Sequence, residues 1–554
     1  MRHAQWWAVM TSRPDVLIVG AGPTGLTAAA ELARRDVAVR IVDRSPQPST
    51  ETKALGVQAR TLELLDRLGI ADQAIARGLP VRRFNIFSER HRIATFDLST
   101  LPTRYPYILM LPQYQTEALL TERLADLGTT VERGVELTDF EQRPDAVGAV
   151  LRGPGDKTER VEAGYLVGCD GPSSTVRERL GARFEGTALE ERFAVADLHV
   201  DWDLPYDELF AFLHTGDFIT LFPMRDRLHR VAIAYTKRET PTGEVTLDEV
   251  QHALDKCGPG AARITEIQAS GRFRINQRAV DRERVGRVLL AGDAAHVNSV
   301  VGAQGMNIGI QDAVNLGWKL ALTCTGRATP ALLDSYPAER RQAARRTVRG
   351  TGFFTRLTLL HHPALTLARR RLLPLALARP KVRTRIEWAL SELDISYTAH
   401  ARTGSPDGTA PAPAAGDRAP DATLYDTANR PTRLLEALRD DQYSLILAGT
   451  AQPDADQRLA RIERVLASYA DIHGYRVTPG PDRFAHTPAP ITALIDRDGR
   501  FHHQYRIEQP TLLLLRPDGY LAARVDKWDA QQLEAYLRRG LIAHATRRTR
   551  TTRE

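Results

Sequence analysis

The stretch Val16-Leu17-Ile18-Val19-Gly20-Ala21-Gly22-Pro23-Thr24-Gly25 decides how the rest of the chain is read. An apolar run that reads as a buried strand meets a GxGxxG turn, and a helix is expected from about Pro23 to Arg35. In such a turn Gly20 permits the tight bend and Gly22 lets a pyrophosphate approach the backbone. Gly25 lets helix and strand pack closely, and the helix amides face the phosphates. A second strand, VAVRIVD, ends at Asp43, 18 residues after Gly25, where a carboxylate can take a ribose hydroxyl. The βαβ unit therefore predicts a dinucleotide site. The motif alone does not separate FAD from NAD.

Working outward, 554 residues at roughly 150 per domain suggest three or four domains. A hydrophobic share of 43% and a charged share of 26% are ordinary globular values and exclude a wholly disordered chain. Cys169, Cys257 and Cys324 are too far apart for a disulfide framework, a zinc ribbon or a CxxC pair. They point to a reducing, cytoplasmic setting. No apolar run approaches the ~20 residues of a membrane span. Arginines number 68 against 7 lysines, which reads as GC-rich coding rather than selection for a ligand. The net charge of +7 is spread along the chain, so no nucleic-acid partner is expected, and the basic tail at 546–554 reads as a solvated terminus.

The expected organisation is α/β. Residues 1–14 form an extension, and 15–189 with 275–400 form a Rossmann-like domain with following helices. Between them, segments such as ELFAFLH, FITLFPM and HRVAIAY alternate and are rich in aromatic and β-branched residues. They predict an antiparallel-sheet domain over 190–274, joined by part of 80–112. The Pro/Gly/Ala-rich segment 401–420 reads as a linker, and 421–545 as a small α/β unit.

Two further motifs sharpen the picture. Arg287-Val-Leu-Leu-Ala-Gly292-Asp293 is a strand delivering an acid at its end, before a helix that opens at Gln304-Gly305-Met306-Asn307. Cys169-Asp170-Gly171, with Ser174 and Arg177 behind it, closes another strand. With all three motifs in place, the chain resembles the class A FAD-dependent aromatic monooxygenases typified by para-hydroxybenzoate hydroxylase. It is most similar to the phenol, pentachlorophenol and aromatic polyketide hydroxylases, whose C-terminal domain is thioredoxin-like.

That resemblance implies that Gly20, Gly22, Pro23, Thr24, Gly25, Asp43 and Arg44 hold the ADP half of FAD. Lys53 would stand near the phosphates, where the family commonly has arginine, and Gln113 would reach the cofactor. Gly292 and Asp293 would take the ribityl chain, while Gly305, Met306 and Asn307 face the ring. Asp170 matches a motif linked to FAD and NAD(P)H. The implied reaction uses NADPH or NADH to reduce FAD, and O₂ then adds at flavin C4a. One oxygen passes to a phenolic or polyketide-type aromatic in natural-product tailoring. Epoxidation, Baeyer–Villiger cleavage, antibiotic inactivation and flavin binding without turnover stay open as alternatives.

The middle sheet would wall the substrate pocket, with Phe212, Phe222, Met224 and Tyr235 as candidate lining residues. No catalytic base and no metal site is identified. His296 reads as a structural histidine, and the pairs His361-His362 and His502-His503 as surface residues. The C-terminal unit has no CxxC, so a structural or homodimer role is expected and FAD binding should not need it. One departure stands out. The family's His-x-x-Pro-Pro segment here reads His296-Val-Asn-Ser299-Val300, which frees a loop that proline would stiffen.

Overall fold

The computed structural model describes residues 13–541 apart from 89, 215–217, 236–242, 259–261, 298–303, 345–370, 398–411, 439–440, 450–454, 470, 481–490 and 540. Most of the expected N-terminal extension, the basic tail, His361, His362, Ser299 and Val300 lie outside the described residues.

The apolar run Val16–Val19 forms a central strand of a six-stranded sheet. The order is Arg284–Val285, Val288–Leu290, Tyr165–Gly168, Val16–Val19, Val39–Asp43, Val131–Arg133, and only the first pair is antiparallel. The run is apolar throughout because both of its faces are covered. Val16 and Ile18 pack under helices Pro23–Ala33, Gln113–Asp126 and Gly305–Cys324. Leu17 and Val19 pack under a three-stranded antiparallel sheet, Glu136–Gln142, Val147–Arg152 and Thr158–Ala163.

The second large sheet has eight strands. Their order is His296–Val297, Arg263–Val280, Phe184–Asp201, Leu228–Tyr235, Phe218–Pro223, Leu209–Leu213, Arg83–Ser88, His91–Asp97. Pairing is antiparallel except between Leu209–Leu213 and Arg83–Ser88. The expected limits 190 and 274 cut through its two longest strands. Phe184 and Val280 still pack with Val288 and Leu290 of the first sheet, so these strands run continuously from one unit into the next. One face of the eight-stranded sheet is covered by helix Leu247–Cys257. The other looks toward the first sheet's unit and helix Pro380–Leu390.

The C-terminal unit is a seven-stranded mixed sheet. Its order is Pro431–Arg433, Thr423–Tyr425, Ile491–Ile495, Ile472–Thr478, Tyr443–Ala448, Thr511–Leu515, Leu521–Asp526. Trp318 and Leu322 of helix Gly305–Cys324 share its core with Tyr443, Leu445 and Trp528. At the same boundary Arg516 pairs with Glu339 at 2.6 Å, and the Trp318 indole N–H donates to Asp518 at 3.2 Å. The expected linker is not free along its whole length. Asp417, Arg418 and Ala419 are buried, with Arg418 paired to Glu63 and the backbone bonded to Leu521.

Candidate active site

The glycine turn is built by steric necessity. Gly20 has φ +102°, and a Cβ there would sit 2.3 Å from the Cys169 carbonyl oxygen. A Cβ on Gly25 would lie 1.9 Å from the Gly20 oxygen. At Gly22 a Cβ would meet nothing within 4 Å, so the turn is open on the side where a pyrophosphate would approach. Pro23 starts the helix, where its missing N–H costs nothing. Asp43 accepts hydrogen bonds from the backbone N–H of Ala21 at 2.6 Å and Ser45 at 2.8 Å. It thereby fixes the turn as well as offering a carboxylate beside it. Thr24 does a packing job: a Cβ on Gly292 or Gly309 would lie 2.4 Å from its hydroxyl, so it wedges between the two. Arg44 is exposed and borders a polar cavity of about 380 Å³ with Gly134, Arg152 and Asp156.

Asp293 follows the strand Val288–Leu290 and the left-handed Gly292 (φ +60°). Protein crowds its carboxyl and raises its pKa, yet the side chain is solvent-accessible. Both facts fit a carboxylate set among protein atoms with one side open to a ligand. Directly behind it lies a network that the sequence reading missed. Asp312 accepts from the Gly292 N–H at 3.0 Å and from Arg340 Nε at 2.6 Å, and pairs with His296 Nε2 at 2.6 Å. Burial pushes the Asp312 carboxyl up, but His296 and Arg340 outweigh it and hold it at about 2. For His296, burial works against the charge, and Asp312 still raises its pKa. The signal was available: Asp312 is a lone carboxylate inside the apolar helical run IGIQDAVNLGW.

Helix Gly305–Cys324 has no side-chain cap at its N-terminus and no acid in its first turn. Its first amides and positive dipole end are therefore available to an electronegative ligand. Gly305 is open where a Cβ would stand, whereas Met306 packs partly against the core. The Asn307 amide is turned elsewhere: Oδ1 accepts from the Gln58 N–H and Nδ2 donates to Gly56 oxygen, both at 2.9 Å. Gln113 also works on its own chain, accepting from the Ala54 N–H and donating to Glu117. It holds the segment that carries Lys53. That lysine is 63% exposed, makes only a loose 3.7 Å pair with Glu51, and is close enough to act on the charge of Asp293. Asp170 accepts from the Ser174 hydroxyl and the Val176 N–H, capping helix Thr175–Leu180; burial raises its pKa.

The substrate-facing residues divide by strand parity. Phe222 and Met224 pack with Leu55, Met110 and Leu393, on the side toward the glycine turn's unit. Phe212 and Tyr235 are on the opposite face, a correction to their expected lining role. Phe212 is fully buried among Phe87, Phe210 and Ile219, and the Tyr235 hydroxyl donates to Glu249 of the covering helix. Instead, Arg230 occupies the inner face. It forms a two-pronged pair with Asp197 at 2.7 and 2.8 Å and donates to the Lys53 carbonyl oxygen at 3.2 Å.

The comparisons with known proteins agree with this layout. Residues 13–351 match the family model described as an FAD binding domain, and 412–542 match the C-terminal domain of aromatic-ring hydroxylases. The chain belongs to the FAD-dependent aromatic-ring hydroxylases. It is 37% identical to 6-methylpretetramide 4-monooxygenase of Streptomyces rimosus, over 95% of this chain and 93% of that one. Among solved structures, the anhydrotetracycline hydroxylase of Streptomyces rimosus superposes with a TM-score of 0.73 at 32% identity, covering 95% of this chain and 99% of that one. Aklavinone-11 hydroxylase, solved with FAD and aklavinone, gives 0.70 at 27% identity, covering 96% and 99%. This hydroxylase is thus a flavin-dependent monooxygenase that takes FAD, O₂ and an aromatic small molecule. No helix among its described residues is long and apolar enough to cross a membrane.

Proposed function

We propose that this hydroxylase inserts one oxygen atom from O₂ into a phenolic, polyketide-type aromatic in natural-product tailoring, with NADPH or NADH as reductant. One observation carries the reading: Asp293 is accessible although protein crowds its carboxyl, and it follows Gly292, which packs against Thr24 of the glycine turn and against Gly309 of the uncapped helix. These groups fit FAD, which when bound supplies the redox and oxygen-transfer chemistry. Gly22 and Asp43 would hold its ADP half, Asp293 its polyol, and the amides at Gly305 its electronegative ring edge. Asp312, pinned by His296 and Arg340, keeps the Gly292 turn and the helix in fixed relation. Phe222 and Met224 keep water from the aromatic's side of the site. The named relatives act on 6-methylpretetramide, anhydrotetracycline and aklavinone, which supports the polyketide assignment.

The same proposal takes the C-terminal unit as thioredoxin-like in strand order, with a structural or homodimer role and no thiol chemistry, since it contains no cysteine. A cytoplasmic setting accords with the supply of NAD(P)H and with three free cysteines. The test is NAD(P)H oxidation by the FAD-loaded protein with and without a panel of phenols and polycyclic polyphenols. Oxidation that accelerates with an aromatic, together with a hydroxylated product, supports the reading. Oxidation indifferent to every aromatic contradicts it.

A further inference from the structure

Hairpin tips ordinarily lie at the surface, where water satisfies their backbone. The tip Arg516-Pro517-Asp518-Gly519-Tyr520 of the C-terminal sheet is buried instead. Pro517 suits the second position of a tight turn, and Gly519 supplies the left-handed residue that follows it, at φ +79°. The Gly519 N–H donates to the Arg516 oxygen at 2.9 Å and the Arg516 N–H to the Tyr520 oxygen at 2.8 Å, which closes the turn. Asp518 stiffens it by accepting from Arg516 Nε at 3.0 Å.

The cofactor-binding unit buries this tip. Arg60 donates to the Asp518 carbonyl oxygen at 2.6 Å and stands over the Tyr520 ring, 5.0 Å from its centroid. Tyr520 packs with Ile308, which lies three residues after Gly305 in the cofactor helix, and with Ala343 and Ile395. Its ring stacks on Tyr397 with centroids 4.1 Å apart, and the Tyr397 hydroxyl accepts from Arg340 at 3.5 Å. Arg340 in turn donates to the Ile308 oxygen at 3.1 Å and binds Asp312, which fixes Gly292 and His296. The tip thus meets both elements that present groups to FAD. It touches the uncapped helix end directly, and reaches the Gly292-Asp293 turn through Tyr397, Arg340 and Asp312. The Tyr520 hydroxyl has no partner among the described residues, so this residue contributes ring surface rather than a hydrogen bond. Trp318, the other large contact on this helix, stands 13 residues from Gly305, roughly 20 Å along the axis.

We infer that Tyr520 is a positioning residue for the cofactor site: stacked on Tyr397 and packed on Ile308, it holds the Gly305 helix end and the Arg340–Asp312 pair in the arrangement that retains FAD. The C-terminal unit then completes a site built on the other unit. The experiment follows FAD release from diluted holoenzyme by the rise in flavin fluorescence. The visible circular dichroism of the bound flavin and the melting temperature are recorded for each variant. Tyr520→Leu removes the stack and keeps apolar volume. Tyr397→Leu breaks the same stack from the other side, so the test stands where one of the two fails to fold. Tyr520→Phe keeps the ring. Leu494→Ala opens a cavity in the C-terminal unit on a strand separated from the hairpin by two others, and controls for plain destabilisation.

Tyr520→Leu and Tyr397→Leu should each release FAD about fivefold faster than the parent, the order expected for one lost aromatic pair, and should alter the flavin dichroism. The double variant should release it within about twofold of either single one, since the stack is lost only once. Tyr520→Phe should behave as the parent, and Leu494→Ala should melt lower without changing release or dichroism. The inference is overturned if both leucine variants retain FAD as the parent does, or if Tyr520→Phe releases it as fast as Tyr520→Leu. It is equally overturned if Leu494→Ala releases FAD as fast as they do for the same loss of melting temperature. Neither NAD(P)H nor an aromatic enters the assay, so its failure and that of the hydroxylation reading are separate results.

Discussion

Asp293 and Glu392 are both carboxylates that crowding drives toward the neutral form, and they differ in what can reach them. Asp293 is accessible, so its crowding is the kind a ligand would share. Asp293→Ala should lose most of the FAD, read as the ratio of flavin to protein absorbance after gel filtration, and Asp293→Asn should keep a larger part. Unchanged flavin content in the alanine variant would remove Asp293 from the site. Glu392 is sealed in the interior, only 2% exposed, and burial lifts its pKa well above the ordinary 4.5. The Gln311 side-chain N–H donates to Glu392 Oε2, while Glu392 Oε1 and the Gln311 carbonyl oxygen have no partner among the described residues. A protonated Glu392 lets acid and amide pair, so Glu392→Gln should fold and load FAD. The sign of the pH effect follows from the raised pKa. The acid's contribution is complete below about 4.5 and is lost as pH rises toward its folded value. Parent and Glu392→Gln melting temperatures should therefore diverge in the variant's favour as pH rises above about 4.5; a pH-independent difference would count against a neutral Glu392. Asp293 was legible because a strand, a glycine and an acid in series leave few alternatives. Glu392 was not, since nothing near it in sequence announces that Gln311, 81 residues away, will be its neighbour.

At the scale of elements, helix Gly305–Cys324 belongs to two cores at once. Its first turns pack against Gly292 and Thr24, while Trp318 and Leu322 are built into the C-terminal unit. Trp318→Ala should thus cost about 3–5 kcal/mol, as large aromatic truncations in cores do, and should lower FAD retention through a site it never touches. Denaturant unfolding and flavin content measure the two effects; full stability in the variant would show that the units are not coupled through this helix. Arg516 gives an independent check. It is 8% exposed and binds Glu339 and Asp518 together, so Arg516→Met leaves the buried Asp518 and the partly buried Glu339 each short of one partner, at a cost of roughly 3–5 kcal/mol. A loss of flavin in either variant would overturn the expectation that FAD binding needs nothing from the C-terminal unit. Pro- and Gly-rich composition marks where a chain is free to bend, but it says nothing of Arg418 docking on Glu63, 355 residues earlier. Period-two alternation had the same limit in the middle sheet. It revealed two faces, and only the covering helix Leu247–Cys257 decides that Phe212 and Tyr235 point away from the site while Phe222 and Met224 point toward it.

For the whole molecule, three units pack on one another: a largely parallel sheet that presents strand ends and helix N-termini, an antiparallel sheet, and a C-terminal unit that shares the core of helix Gly305–Cys324. The first layer was readable because Gly20 and Gly25 answer steric demands fixed by close backbone approach, while Gly22 leaves the turn open. The meeting itself was not, because it depends on long-range pairs such as Arg230 with Lys53, 177 residues apart. The central claim is that this site transfers oxygen from O₂ to an aromatic. The most direct measurement incubates FAD-loaded protein with NADPH, a polycyclic polyphenol and ¹⁸O-labelled O₂, then examines the aromatic by mass spectrometry. The product should carry one labelled oxygen and form only when flavin, reductant and aromatic are all present. An aromatic that emerges unlabelled, while NADPH is consumed at the same rate with or without it, would contradict the account.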